Sequence, residues 1–226
     1  MAYYPVSLDL RCRLAVVVAD ASSLAAAEAK VRDLLHAESC VRLVASELTQ
    51  TLAAWAVAGK IEHRAHSFQA VDIEGASLVL SVLPPSFEEV NQRIWEEATR
   101  RRIPVNIMDD VPRCTFIAPS VLRRGDLTVA ISTAGSAPAL AVRLRQRLEK
   151  ELGDEHARFL ELARGVRAPL AAQTPSFAER KERWYRLVDS DVLDLLRAGD
   201  LPAARQRFTD ILGVTPGTPE TPGIEA

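Results

Sequence analysis

The chain has little cysteine, few aromatic residues and no long apolar run. Its three cysteines, Cys12, Cys40 and Cys114, are too widely spaced for a disulfide framework or a zinc-ligand pattern. Each reads as a small buried hydrophobe in a reducing compartment. No stretch approaches the ~20 apolar residues of a spanning helix. Residues 1–5 lack the basic start and apolar core of a signal peptide, so a cytoplasmic location is expected. A net charge of -2 and a pI near 6.1 exclude a global pull toward nucleic acid or a membrane surface. Glycine is absent between Met1 and Gly59, so no glycine-rich turn can occur in the first quarter of the chain.

What is present is an alternation of apolar runs and helical patterns. Residues 14–18 (LAVVV) form a continuous apolar run, as in a parallel strand covered on both faces. An Ala-rich helix follows to about Ala37. Residues 41–45, 61–66 and 77–83 read as further strands, with a helix over 48–58 that ends at Gly59, a usual C-cap residue. His63 and His66 fall on opposite faces of their strand and are read as surface residues. A helix from Asn91 to about Arg101 leads to a strand over 104–108. The alternation predicts an α/β fold with a Rossmann-like parallel sheet.

Residues 103–148 concentrate the chemistry. The strand over 104–108 ends on Asp109 and Asp110, where α/β sheets place their working groups. An apolar segment over 116–122 and a polar reversal, Arg123-Arg124-Gly125-Asp126, lead to a strand over 127–131. With no visible partner in its own domain, that strand predicts pairing with a second copy, hence a homodimer. Ser132-Thr133-Ala134-Gly135-Ser136 is a small-residue turn opening a helix, with Ser136 as N-cap, Pro138 in the first turn, and Leu140, Leu144, Leu148 and Leu152 as an apolar stripe. Its N–H groups are a natural carboxylate or phosphate site.

Several of these motifs resemble the siroheme synthase family, the precorrin-2 dehydrogenase/sirohydrochlorin ferrochelatase proteins. They are NIMDD (106–110), C-T-F-I-x-P (114–119), RRGDLTVAIST (123–133) and the GSAPALAVRLR run (135–145), with YPVSLDLR at 4–11. The resemblance implies siroheme biosynthesis: oxidation of precorrin-2 to sirohydrochlorin, metal insertion, or both. It implies NAD as cofactor, iron as substrate metal, a tetrapyrrole substrate, and a homodimer with no nucleic-acid or membrane partner. It maps Asp109 onto the catalytic aspartate, which takes protons in both reactions, and Ser132, Thr133, Gly135, Ser136 and Asn106 onto the substrate site. No protein-held metal site is expected. Where the family has a glycine turn after the first strand, this chain has Ala19, Asp20, Ala21 and Ser22, and where it has a Thr/Asp cluster after the fourth, Ser81-Val82-Leu83-Pro84-Pro85. A Cβ at each turn position crowds a pyrophosphate and Asp20 repels it, so NAD is expected to bind weakly or not at all. The alternative to an enzyme is a non-catalytic Rossmann-like dimer that binds or carries a tetrapyrrole.

Beyond Arg145 only helical patterns remain, over 151–168, 176–187, 192–197 and from Asp200 to about Leu212. Arg180, Lys181, Arg183 and Arg186, interleaved with Trp184 and Tyr185, read as a solvated face or as a wall for a polyanion. The repeated Thr-Pro of 215–226 lacks apolar periodicity. The expected division is a Rossmann-like domain over 1–114, a small β/α dimerisation segment over 115–150, a helical domain over 151–213 and a disordered tail over 214–226.

Overall fold

The computed structural model describes residues 3–217, which form two compact units. The first runs to Ala118 and also contains Ala134–Ser136; the second contains Pro119–Thr133 and the chain from Ala137.

In the first unit, β1 (Leu14–Val18), α1 (Leu24–His36), β2 (Cys40–Val44), α2 (Gln50–Val57), β3 (Ile61–Arg64), β4 (Leu78–Ser81), α3 (Glu88–Arg100) and β5 (Val105–Ile107) alternate as the apolar runs predict. The strands form one parallel sheet in the order β3-β2-β1-β4-β5. The period-2 geometry of β1 explains its unbroken apolarity. Ala15 and Val17 pack with Ala27 and Val31 of α1 and Leu52 of α2, while Val16 and Val18 pack with Ile94 and Ala98 of α3. The strand order reverses between β1 and β4, so the loops leaving their C-terminal ends flank the crevice where such sheets take ligands.

Local chemistry sets the element ends. The Thr49 hydroxyl accepts from the Leu52 N–H and caps α2, and Gly59 adopts φ +67° just beyond its end. His63 Nε2 lies 2.8 Å from the Ala45 carbonyl and His66 Nδ1 2.9 Å from that of Ser67. Cys12 and Cys40 are exposed, not buried as their residue type led us to expect. Both sit at the N-terminal edge of the sheet, where Cys40 begins β2 and Cys12 takes a left-handed backbone (φ +56°).

The second unit begins with a hairpin, β6 (Ser120–Arg124) and β7 (Leu127–Ile131), paired antiparallel from Ser120↔Ile131 to Arg124↔Leu127. The sequence reading left the strand over 127–131 without a visible partner in its own domain, and this is corrected: β6 is that partner. Arg123 and Arg124, read as part of a reversal, are strand residues. The turn is only Gly125-Asp126, with glycine at φ +54° in the first position, as short hairpins prefer. The Arg124 guanidinium donates to the carbonyls of Leu152 (3.0 Å) and Glu149 (3.2 Å), at the end of α4 (Pro138–Glu151).

Helices α5 (Asp154–Gln173), α6 (Phe177–Val188), α7 (Val192–Arg197) and α8 (Leu201–Leu212) surround a core of Leu162, Val166, Leu170, Leu187, Leu196 and Phe208. The Asp200 carboxylate accepts from the Ala203 N–H and caps α8, whose first turn holds Pro202. Val214 and Pro216 are buried, so the chain stays packed beyond Leu212; the rest of the tail expected to be disordered, 218–226, lies outside the described residues. Among the described residues, no helix is long and apolar enough to cross a membrane.

Candidate functional site

The C-terminal end of β5 builds the most distinctive local geometry. After Ile107 the chain turns through Asp109, whose φ of +59° is left-handed, a conformation that Asp and Asn tolerate better than other side chains. The chain then doubles back along β5. Thr115 N–H donates to the Val105 carbonyl (2.8 Å), and the Val105 N–H donates to Thr115 Oγ1 (2.8 Å). Asn106 Nδ2 donates to the Phe116 carbonyl (3.0 Å). The Cys114 thiol sits inside this loop, 3.2 Å from the carbonyls of Ile107 and Asp110, and burial pushes its pKa up, away from a reactive thiolate.

The two adjacent carboxylates have different environments. Asp110 Oδ2 accepts from Arg113 Nη1 at 2.5 Å, and Arg113 Nε donates to Gln92 Oε1 at 2.6 Å, which ties the loop to α3. The Asp109 side chain is exposed and has neither hydrogen bond nor ion pair among the described residues. A carboxylate held out on a clamped loop can accept a proton without any other bond being broken first. Arg113 was not singled out from the sequence; its place three residues after Asp110, on a short helical turn, is the signal that points to the pair.

Of the residues expected at the substrate site, Gly135 is in the first unit, beside this loop. Its φ is +82°, and a Cβ built there would lie 2.9 Å from Val111 Cγ2, so both backbone and packing require glycine. Ala134 before it is also left-handed (φ +52°), and Ser136 is exposed. Ser132 and Thr133 fall in the second unit. There Thr133 Oγ1 accepts from the Ala137 N–H (3.1 Å), while Ala137, without a side-chain cap, is the N-cap residue of α4. The expectation of Ser136 as N-cap is thereby corrected: the hydroxyl comes from Thr133. Asn106 spends its amide on Phe116, so its visible task is to hold the loop behind Asp109.

The β1–α1 turn is the expected phosphate seat. Ala19 is buried and its N–H donates to the Val44 carbonyl. The Asp20 carboxylate folds back over the turn and accepts from Ser23 Oγ (2.6 Å) and Ser22 Oγ (2.9 Å), while the Ser23 N–H donates to the Asp20 carbonyl (3.1 Å). Burial favours its neutral form, but these hydrogen bonds prevail and hold its pKa below the usual range. At the end of β4, Ser81 is buried and its hydroxyl donates to Asn91 Oδ1 (2.7 Å); Pro84 and Pro85, which follow shortly, carry no N–H. The expected dinucleotide contacts Ala19, Asp20, Ala21 and Ser22 thus form a turn that already holds an anion of its own, and the turn does not fit a pyrophosphate.

The second unit contains a cleft of about 930 Å³ lined by Arg164, Arg167, Arg180, Lys181, Trp184 and Tyr185, among others. Lys181 Nζ lies 5.7 Å from the centre of the Tyr185 ring, and Arg180 donates to the Thr174 and Pro175 carbonyls. Arg183 instead donates to the Leu212 carbonyl (2.9 Å) at the end of α8. The apolar stripe of α4 is largely uncovered within the chain. Leu140 is 53% exposed and Leu144 36%, and only Ala141 on that helix is buried.

Three family models match the chain in succession. They are described as putative NAD(P)-binding (residues 6–120), sirohaem biosynthesis protein central (124–151) and sirohaem synthase dimerisation region (155–212). The dimerisation model thus covers the helices after residue 154, whereas the sequence reading gave that role to 115–150. Curated relatives include a siroheme synthase of Photobacterium profundum, 32% identical over 93% of this chain and 44% of its own length. Siroheme synthase of Thioalkalivibrio sulfidiphilus is 34% identical over 94% and 42%, and siroheme synthase 1 of Pectobacterium atrosepticum 36% identical over 90% and 42%. The chain therefore spans less than half the length of these relatives. Among solved structures, SirC, precorrin-2 dehydrogenase, superposes with a TM-score of 0.72 at 18% identity, covering 94% of this chain and 100% of that one.

Proposed function

Since the chain belongs to the siroheme synthase family of putative NAD(P)-binding proteins, we propose that it acts on a tetrapyrrole in siroheme biosynthesis, as an enzyme of the precorrin-2 dehydrogenase/sirohydrochlorin ferrochelatase type. The step its geometry supports best is metal insertion. The carrying observation is Asp109: an exposed, unpaired carboxylate at the end of a parallel strand, on a left-handed residue that the Asp110–Arg113 pair and the Thr115–Val105 bonds hold in place.

The chemistry asked of it is simple. A free-base macrocycle gives up two pyrrole N–H protons as a divalent metal enters, and a carboxylate with no other partner is the group to accept them and pass them to solvent. Iron is the substrate metal in this reading. The N–H groups of Gly135 and Ser136, in the same unit as the loop, offer a seat for one of the carboxylate arms that ring the substrate. A homodimer fits both the match to a dimerisation region and the uncovered Leu140 and Leu144. A cytoplasmic location fits the three free cysteines.

The test is a titration of the purified chain with sirohydrochlorin, followed by addition of ferrous iron under anaerobic conditions and by the visible spectrum. Saturable binding and a rate of insertion above the uncatalysed one are expected. A chain that leaves the macrocycle spectrum and the insertion rate unchanged has some other function.

A further inference from the structure

The dinucleotide turn has a consequence for the order of the chemistry. We infer that Asp20 occupies, with its own carboxylate, the position where a dinucleotide pyrophosphate would sit, so that this chain takes its tetrapyrrole already oxidised. The inference rests on the tetrapyrrole reading only for what is taken; closure of the phosphate seat stands on the turn alone.

Much of the turn's hydrogen-bonding capacity is used locally. Ser22 and Ser23 give their hydroxyls to the Asp20 carboxylate, the Ser23 N–H is given to the Asp20 carbonyl (3.1 Å), the Asp20 N–H to Ser23 Oγ (3.0 Å), and the Ala19 N–H to the Val44 carbonyl. Across the crevice the Val82 N–H donates to the Val18 carbonyl (2.9 Å), and Pro84 and Pro85 have none to give. An incoming pyrophosphate would have to displace a carboxylate from its own hydrogen bonds or lie against its negative charge. The same hydrogen bonds keep Asp20 ionised, so it does not withdraw by taking up a proton. Replacing glycine by Ala19 and Ala21 adds bulk, but the decisive feature is the filled seat.

The reaction that supplies the substrate is then a dehydrogenation at a site other than this turn. The reduced macrocycle loses a hydride to an oxidised nicotinamide bound there and a proton to a base, two electrons in all, and the conjugated product passes to this chain.

The experiment is calorimetric titration of the full chain with NAD⁺, NADP⁺ and inorganic pyrophosphate, on the parent, on Asp20→Asn and on Ala19→Gly/Asp20→Gly/Ala21→Gly. The parent is expected to show no saturation below millimolar ligand. Asp20→Asn keeps the shape of the turn but discharges it, and should gain at least tenfold in pyrophosphate affinity; the triple variant should gain more if it remains folded. A micromolar dissociation constant for either dinucleotide on the parent overturns the inference, as does an Asp20→Asn protein that is folded by circular dichroism and gains nothing. Failure of sirohydrochlorin to bind would instead remove the proposed function and leave the closed seat intact.

Discussion

Substitution of Asp109 separates chemistry from backbone, because the side chain has no partner while the main chain is left-handed. Asparagine keeps the shape, tolerates the same φ and breaks no bond, so Asp109→Asn should stay within about 0.5 kcal/mol of the parent in stability. As it cannot take a proton, it should lose the contribution of a general base, about 10²–10⁴-fold in insertion rate, or roughly 3–5 kcal/mol of activation free energy. Glycine at +59° carries no steric cost, so Asp109→Gly should be as inactive as the asparagine variant and about as stable as the parent. Valine at the same φ should be inactive too and in addition lose about 1–2 kcal/mol. For a chain of this size that is a fall in melting temperature of roughly 2–8 °C. Initial rates of iron insertion, read from the visible spectrum, and thermal unfolding by circular dichroism give the two axes. If Asp109→Asn inserts iron at the parental rate, the carboxylate is not the base. If Asp109→Val melts with Asp109→Asn, the residue is not left-handed in solution.

Two further outcomes follow from buried polar groups. Ser81 and Asn91 satisfy each other at 2.7 Å inside the first unit, so Asn91→Ala should cost about 1–3 kcal/mol by stranding the hydroxyl. The double variant with Ser81→Ala should cost less than the sum of the two single changes; strict additivity in urea unfolding would show that the pair is not coupled. In the second unit, burial works against ionised Glu155, but its hydrogen bonds, including one from Arg197 Nη2 at 2.9 Å, hold its pKa below the usual range. Its contribution is therefore complete above the ordinary glutamate value of about 4.3 and is lost as pH falls through the depressed folded value. The stability gap between parent and Glu155→Gln should accordingly be larger at pH 7 than at pH 3, and parallel pH profiles would refute the assignment.

The parallel sheet was legible because the central strands β1 and β4 are buried on both faces and are almost unbroken apolar runs, a demand that only a few residue types meet. The last helix was legible from its start, with Asp200 as the cap and Pro202 in the first turn. β6 was not, because a hairpin strand with a single buried residue, Leu122, can end in two arginines and look like a loop. Asp109 stood out as a carboxylate after a strand, but its freedom did not: which of two adjacent aspartates is paired depends on Arg113, whose direction is set by Gln92 on α3. The Asp20 carboxylate could be read as a repelling charge, yet its grip on Ser22 and Ser23 is a matter of turn geometry that residue identities do not fix.

The three residues Ala134–Ser136 belong with the first unit, while the chain on either side of them belongs with the second. Any partition of this protein by protease, truncation or recombination must therefore respect three crossings of the chain instead of one. A fragment ending at Ala118 would lose Gly135 and uncover Val111, on the loop that carries Asp109. A fragment beginning at Pro119 would carry those three residues without the unit they pack on. Exchange of the helical portion between relatives is least disruptive when the junction lies after Ser136, so the boundary a sequence comparison would draw between separate modules is not where the molecule can be cut.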